Sequence, residues 1–366
     1  MKMVDIHSHF LPRSWPDLAA RFGGADWPWL RHTAAGEAML MVGAREFRPV
    51  TSACWDPAVR LAAMDRDGVD VQIMCATPVL FAYDRPAVHA LECARIFNDA
   101  ALEICAAAPR RLKSLCQVPL QDTELACREL SRAMAEGHIG VHIGNHVGSR
   151  ELNDEGLIGF LQHCAAEGAA VFVHPWDMMG QARMSKYMLP WLVAKPAETQ
   201  LSILWLILSG AFERLPRSLK LCFAHGGGSF PYLIGRVDNA WRNRDIVRED
   251  CPRLPSSYLD RLHVDAAVFS DESLAYLVSV MGEDRVMLGS DYPYPLGEQQ
   301  VGSLIRSHDG LSDRTREKLL HANATRFFGL EDAHVLPLGD GDGLAVAADV
   351  EIEAPIRDRR RQQLPR

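Results

Sequence analysis

The chain has 366 residues, 48% of them hydrophobic, enough to build one barrel of about 300 residues or two ordinary domains around large cores. Its formal charge of −8 comes from 47 acidic and 39 basic residues spread along the chain, which excludes the clustered Lys and Arg footprint of a nucleic-acid binder and leaves a few local arginines to hold any small anionic substrate. Nine cysteines without a CxxC pair, and an N-terminus MKMVDIHSHF that runs straight into structure, predict reduced thiols and a cytoplasmic protein, while the most apolar stretch, Leu201 to Phe212, falls short of the roughly 20 residues of a membrane span and reads as a buried helix or a subunit contact.

Short β-branched or apolar runs occur in chain order as VDIHSH from Val4, VDVQIMC from Val69, LKSLCQV from Leu112, HIGVHIG from His138, AAVFVH from Ala169, LKLCFAH from Leu219, RLHVD from Arg261 and RVMLGSD from Arg285. Between them, Asp56 to Asp67, Arg85 to Ala107, Thr123 to Glu136, Glu155 to Glu167 and Asp271 to Met281 read as helices, most of them on apolar spacing. Eight strand signals alternating with helices predict an α/β fold, a (β/α)8 TIM-like barrel over residues 1–330. An open doubly wound sheet is the alternative, but its first strand would lead into a Gly-rich phosphate loop, and here that strand ends in His-Ser-His. Residues 11–55 are expected to be an insertion after the first strand, on the face where barrel active sites form. Residues 331–366, with the run Gly339-Asp340-Gly341-Asp342-Gly343 and a basic end, read as a flexible tail.

Alternation along the first strand places Asp5, His7 and His9 on one face and Val4 and Ile6 on the other. A lone histidine is usually a core or surface residue, and that applies to most of the 14 here. The HxH pair gains weight from other strand ends, because Val171-Phe172-Val173 terminates in His174, Cys222-Phe223-Ala224 in His225 and Met287-Leu288-Gly289-Ser290 in Asp291. Imidazoles and a carboxylate on one rim form a borderline nitrogen and oxygen donor set that suits zinc. His142 and His146 lie near this rim and carry little weight as further ligands.

The motifs IHSHF, FRPV, WDP, QVPLQD, VHPWDMMG, MLPWLVAKPAETQ, LILSGAFERLP, FAHGGGSFPYLIGRVDNAW and VMLGSDYPYPLGEQ run from Val4 to about Leu330. Through them the sequence resembles the amidohydrolase superfamily and, within it, the aminocarboxymuconate-semialdehyde decarboxylases. That resemblance implies one zinc ion held by His7, His9, His174 and Asp291, with His225 beside it as the acid-base residue and Asp291 also counted as catalytic. Binuclear relatives bridge two metals with a lysine of a middle strand, and His138 to Gly144 contains none, so a single metal is expected. The arginines of FRPV and GRVDNAW match Arg48 and Arg236, which would bind substrate carboxylates, Arg236 reaching the neighbouring site of a homodimer. Met178, Trp191 and Tyr294 match pocket-lining positions.

Two departures bear on the substrate. Tyr294 stands where the family commonly has Phe, which adds a hydroxyl at the pocket wall, and Gly43-Ala44-Arg45 replaces a segment that in many members carries a lysine before FRPV, shifting the positive charge to Arg45. The activity implied is loss of carbon dioxide from 2-amino-3-carboxymuconate 6-semialdehyde, with the conjugated substrate as electron sink and no redox cofactor. Addition of water before decarboxylation and direct protonation of the carbon are both open routes. The alternatives are a metal-dependent hydrolase or hydratase on the same barrel, and a scaffold that has lost catalysis, which the filled ligand positions disfavour.

Overall fold

The computed structural model describes residues 1–330, and the expected tail at 331–366 lies outside the described residues. The first strand, β1 (Val4–Phe10), is followed by an insertion that folds as an antiparallel sheet of β2 (Pro28–Ala34), β3 (Glu37–Val42) and β4 (Arg45–Thr51). Two-residue turns join these strands, Ala35-Gly36 and Gly43-Ala44. Gly43 is at φ 57°, and a Cβ there would meet Ala25 O at 2.6 Å, so this hairpin requires glycine.

The chain then builds β5 (Val71–Ala76), β6 (Leu112–Ser114), β7 (Gly140–Gly144), a small hairpin β8 (His146–Val147) and β9 (Arg150–Glu151), then β10 (Ala170–His174), β11 (Lys220–Phe223), β12 (His263–Asp265) and β13 (Val286–Met287). The parallel ladders are β1-β5-β6 and β7-β10-β11-β12-β13. Backbone bonds Cys116 N to Gly140 O (3.0 Å) and His142 N to Cys116 O (2.7 Å) join one seam. Ile6 N to Leu288 O (2.9 Å) and Asp291 N to His7 O (2.8 Å) close the other. The eight parallel strands therefore form a barrel with no free edge.

The helices pack outside. Pro57–Asp67, Thr123–Glu136, Glu155–Ala166 and Asp271–Met281 each begin behind a side-chain cap, from Asp56, Asp122, Asp154 and Ser270, which satisfies an otherwise unpaired amide of the first turn. Alternating strand residues divide the core: Val171, Val173, Leu221, Phe223 and Val264 face the helices. Val4, Ile6, Ile73, Phe172, Cys222 and Met287 fill the barrel interior, closed at the bottom by Phe327 and Phe328.

Val4 and Ile6 thus point inward, together with His7, whose ring lies 5.0 Å from Phe172. The expectation that Asp5 shares the face of His7 and His9 is wrong, because the β1–β5 register shifts between Asp5 and Ser8. This bulge resets the alternation and sends Asp5 between strands, where it accepts bonds from Ser290 Oγ (2.6 Å) and Gln72 Nε2 (2.9 Å).

Candidate active site and metal centre

At the C-terminal rim the ends of β1 and β10 and the segment after β13 bring His7, His9, His174 and Asp291 together, all buried, with one potential ligand atom from each within 4.8 Å of the others. His7 Nε2 faces His9 Nε2 at 3.2 Å and Asp291 Oδ1 at 3.5 Å, and His9 Nε2 is 3.0 Å from the same oxygen. Two imidazole nitrogens this close need an electron-pair acceptor between them or a proton shared with the carboxylate. His174 Nε2 is buried with no hydrogen-bond partner, while its Nδ1 contacts Pro175 O at 3.0 Å. Buried polar atoms without partners are costly, and a divalent cation would satisfy these together.

Protonation states suit that role. Burial pushes His9 down to about 4 and His174 well below the ordinary histidine range, where Lys195 adds to the effect. Burial opposes ionisation of Asp291, but the facing imidazoles of His225 and His9 and the charges of His7 and Lys195 outweigh it and hold the carboxyl well below its usual range. Neutral imidazoles and an ionised carboxylate are the forms that bind metal.

Asp265, at the end of β12, was not picked out in the sequence. Its Oδ2 lies 2.7 Å from His7 Nδ1, and its Oδ1 accepts from Gly226 N at 2.8 Å. Burial disfavours the charged form of His7, yet the Asp265 hydrogen bond and the charges of Asp291 and Asp265 raise its pKa overall. In the neutral ring the same contact fixes the His7 proton on Nδ1 and leaves Nε2 as the lone-pair donor toward the cluster. Gly289 makes room for this pair, since a Cβ there would lie 2.7 Å from Asp265 Cβ and 2.9 Å from His7 Cβ. The signal was available, for RLHVD ends a strand in a carboxylate as RVMLGSD does.

His225 follows β11. Its ring centroid is 4.9 Å from that of His174, its Nε2 is 3.8 Å from Asp291 Oδ2, and neither ring nitrogen has a hydrogen-bond partner among the described residues. Burial, followed by the charge of Lys195, lowers its pKa. His225 (φ 56°) and Asp291 (φ 61°) both adopt the left-handed backbone region, strained for side-chain-bearing residues and common where a functional group must be aimed.

Beside the cluster lies a cavity of about 520 Å³ whose lining includes His9, His174 and Asp291 together with Met178, Trp191 and Tyr294. Arg48 enters from β4, its guanidinium 4.5 Å from the Tyr294 ring centroid and 6.0 Å from that of Trp191, with no acidic partner among the described residues. Met178 sits on a loop anchored by Glu198, which accepts from Met179 N (2.6 Å) and Asn145 Nδ2 (2.9 Å), while Asn145 Oδ1 accepts from Trp176 N (2.9 Å). The PAET segment therefore shapes this wall from behind. Trp191 stands in a single widened π turn, Pro190–Ala194, at the start of the helix Lys195–Leu208.

Other expectations resolve differently. The Tyr294 hydroxyl is 2.5 Å from Thr77 Oγ1 and is thereby held in the wall. Arg45 is exposed and lines a separate hollow, so the shifted positive charge expected there does not enter the cavity; Lys195, which the sequence reading passed over, does. Burial and the charge of Arg48 lower the Lys195 pKa, against the opposing pull of Asp291 and Asp265. His146 turns its ring nitrogens to Gly148 O (2.9 Å) and Asp177 O (3.1 Å), and His142 is buried with its ring 5.6 Å from that of His174, outside the ligand group. Arg236, on the helix Phe230–Asn243, is exposed and does not line the cavity of its own chain.

This donor set at the C-terminal mouth of a closed parallel barrel defines a metal-dependent enzyme on a (β/α)8 scaffold. Residues 4–330 match the model of the amidohydrolase family designated Amidohydro_2. The chain is 43% identical over 330 residues to the 2-amino-3-carboxymuconate-6-semialdehyde decarboxylase of Dictyostelium discoideum, covering 90% of this chain and 92% of that protein. Identity to the enzyme of the same name from Caenorhabditis elegans is 30% over 382 residues, covering 90% and 95% respectively. The crystal structure of 5-carboxyvanillate decarboxylase from Novosphingobium aromaticivorans, complexed with manganese, superposes with a TM-score of 0.72 at 23% identity, covering 90% of this chain and 96% of that one. The chain belongs to the amidohydrolase family, in its metal-dependent decarboxylase branch, and is a carboxy-lyase.

Proposed function

We propose that the chain is a zinc-dependent decarboxylase that converts 2-amino-3-carboxymuconate 6-semialdehyde to 2-aminomuconate 6-semialdehyde in tryptophan/kynurenine or 3-hydroxyanthranilate catabolism. His7, His9, His174 and Asp291 hold one zinc ion, and the active form is a homodimer in which Arg236 of one subunit serves the site of the other. One arrangement carries the reading: the donor cluster opens into an aromatic-walled cavity in which Arg48 has no acidic partner among the described residues, a place for a conjugated carboxylate. The kinship to the Dictyostelium and Caenorhabditis enzymes supports the choice of substrate. Zinc suits the mainly imidazole donor set, and the manganese in the Novosphingobium structure makes that metal the competitor. Cytoplasmic residence is supported by nine unpaired cysteines; no helix among the described residues is long and apolar enough to cross a membrane.

When bound, the metal supplies Lewis-acid polarisation. The protein's own groups do the rest. Arg48 grips a substrate carboxylate through its planar fork, stacked against Tyr294 so that little side-chain freedom is lost on binding. Met178, Trp191 and Tyr294 keep water from the conjugated chain, which strengthens every charge interaction inside. His225, neutral and with both ring nitrogens unengaged, relays a proton from solvent to the carbon that bears the departing carboxylate, and the positive charge this creates rests on the adjacent amino nitrogen as an iminium. The C–C bond to the carboxylate then breaks, its electron pair returns to the iminium, and carbon dioxide leaves with hydrogen in its place on the restored double bond. The test is incubation of the zinc-loaded enzyme with the freshly made semialdehyde. One equivalent of carbon dioxide and the absorbance of 2-aminomuconate 6-semialdehyde are expected; an unchanged substrate, or a hydrated or hydrolysed product, would overturn the reading.

A further inference from the structure

Lys195 is the one charged group of the cavity that the proposed chemistry leaves without a task. Its neighbourhood makes a bystander role expensive. The side chain is partly buried, it lines the same 520 Å³ space as Arg48 and Asp291, and it forms no ion pair or side-chain hydrogen bond among the described residues. Asp291 does not serve as its partner, being occupied by His9 at 3.0 Å, His7 at 3.5 Å and His225 at 3.8 Å. Glu198, one turn further along the same helix, is turned away to Asn145 and the amide of Met179. An ammonium withdrawn from water without a counter-ion costs free energy that folding alone does not recover. Arg48 repeats the pattern in the same cavity.

The surroundings sharpen the point. The protein carries a formal charge of −8, yet this cavity presents two unpaired cations against a single carboxylate that faces the donor cluster. Such a local inversion of sign draws anions in. A substrate with one acidic group would pair one cation and leave the other desolvated. A substrate with two would satisfy both. The cations also differ in kind, Arg48 offering a rigid fork held by aromatic rings and Lys195 a point charge on a flexible stem, so a planar carboxylate suits the first and an acidic group that must change shape suits the second.

We propose that Lys195 is a second anion anchor of the active site, acting within its own chain, so that the cavity selects substrates bearing two acidic groups, one held by Arg48, joined by the Arg236 that the proposed dimer brings from the neighbouring subunit, and the other by Lys195. This rests on the cavity being the site of decarboxylation. Lys195 holds the ground state in this scheme, and its loss appears mainly in KM for a dianionic substrate.

The experiment uses the zinc-loaded full chain and two rigid probes, benzene-1,3-dicarboxylate and benzoate, titrated calorimetrically into wild type, Lys195→Met, Lys195→Gln and Lys195→Arg, with metal content measured for each. Wild type is expected to bind the dicarboxylate about tenfold more tightly than benzoate, the worth of one charge-assisted hydrogen bond. Lys195→Met and Lys195→Gln should lose that preference while their benzoate affinity stays within about twofold, and Lys195→Arg should keep most of it. A merely structural lysine would lower both affinities together or release the metal. Metal-replete variants that retain the dicarboxylate preference, or that lose both probes equally, overturn the proposal. Lys195-dependent dicarboxylate binding in an enzyme that releases no carbon dioxide from the semialdehyde would remove the assigned substrate and leave the anchor standing; turnover of the semialdehyde with a Lys195-independent preference would do the reverse.

Discussion

Replacing Asp265 by Asn removes one charge from the interior and alters almost no volume, which makes it a sharp test of how the metal centre is assembled. Asp265 is fully buried, with one oxygen 2.7 Å from His7 Nδ1 and the other accepting from Gly226 N at 2.8 Å and Ala267 N at 3.2 Å. In Asp265→Asn the amide oxygen can continue to serve Gly226, but its NH2 group then faces His7 Nδ1 and favours the tautomer with the proton on Nε2. Flipping the amide restores His7 and sets NH2 against the Gly226 amide, so neither orientation serves both neighbours. His7 Nε2 is the nitrogen directed at His9 and Asp291, and a proton there removes a metal-binding lone pair. Forcing it back forfeits a charge-assisted hydrogen bond worth about 1.5–3 kcal/mol. That corresponds to metal affinity weakened about 10- to 100-fold, the usual cost of losing such a supporting carboxylate. Competition against a zinc-binding dye measures the affinity, and circular dichroism of the metal-free protein confirms folding. A folded Asp265→Asn protein that binds zinc within about twofold of wild type would refute this account of His7.

Two further substitutions separate binding from chemistry. His225→Ala should retain its metal while turnover falls by about 10²- to 10⁴-fold, since the residue is assigned to proton transfer; a metal-free preparation would make His225 a ligand instead. Arg48→Ala and Arg236→Ala should each be nearly inactive, and exchange of their subunits should restore about a quarter of all sites, because half the dimers are mixed and each mixed dimer holds one intact site. Demonstrated exchange without recovery would place Arg236 in no shared site.

Much of this was readable from residue order. The eight strand signals lie where the barrel strands form, because each is a short apolar run bounded by helical spacing, and four strand-associated residues, His7, His9, His174 and Asp291, meet because parallel strands all deliver their C-terminal ends to one rim. What stayed hidden has physical causes. The bulge in β1 depends on pairing with β5, which a period-of-two pattern does not contain, and it moved Asp5 off the histidine face. Asp265 stood at a strand end with the right chemistry but no sequence neighbour to draw attention to it. Lys195 follows an apolar run, PWLVA, and only the packing of the π turn and the insertion places it in one cavity with Arg48. Exposed Arg236 is informative in one chain only as a residue that its own cavity does not use.

Dependence of decarboxylation on one metal ion, held at a rim of three histidines and one aspartate, is tested most directly by a metal titration of the chelator-stripped protein. Carbon dioxide release from 2-amino-3-carboxymuconate 6-semialdehyde, followed as zinc is added back, should rise linearly and level off at one equivalent per chain. Full release from the stripped protein, or a plateau reached only at two tightly held equivalents, would contradict it.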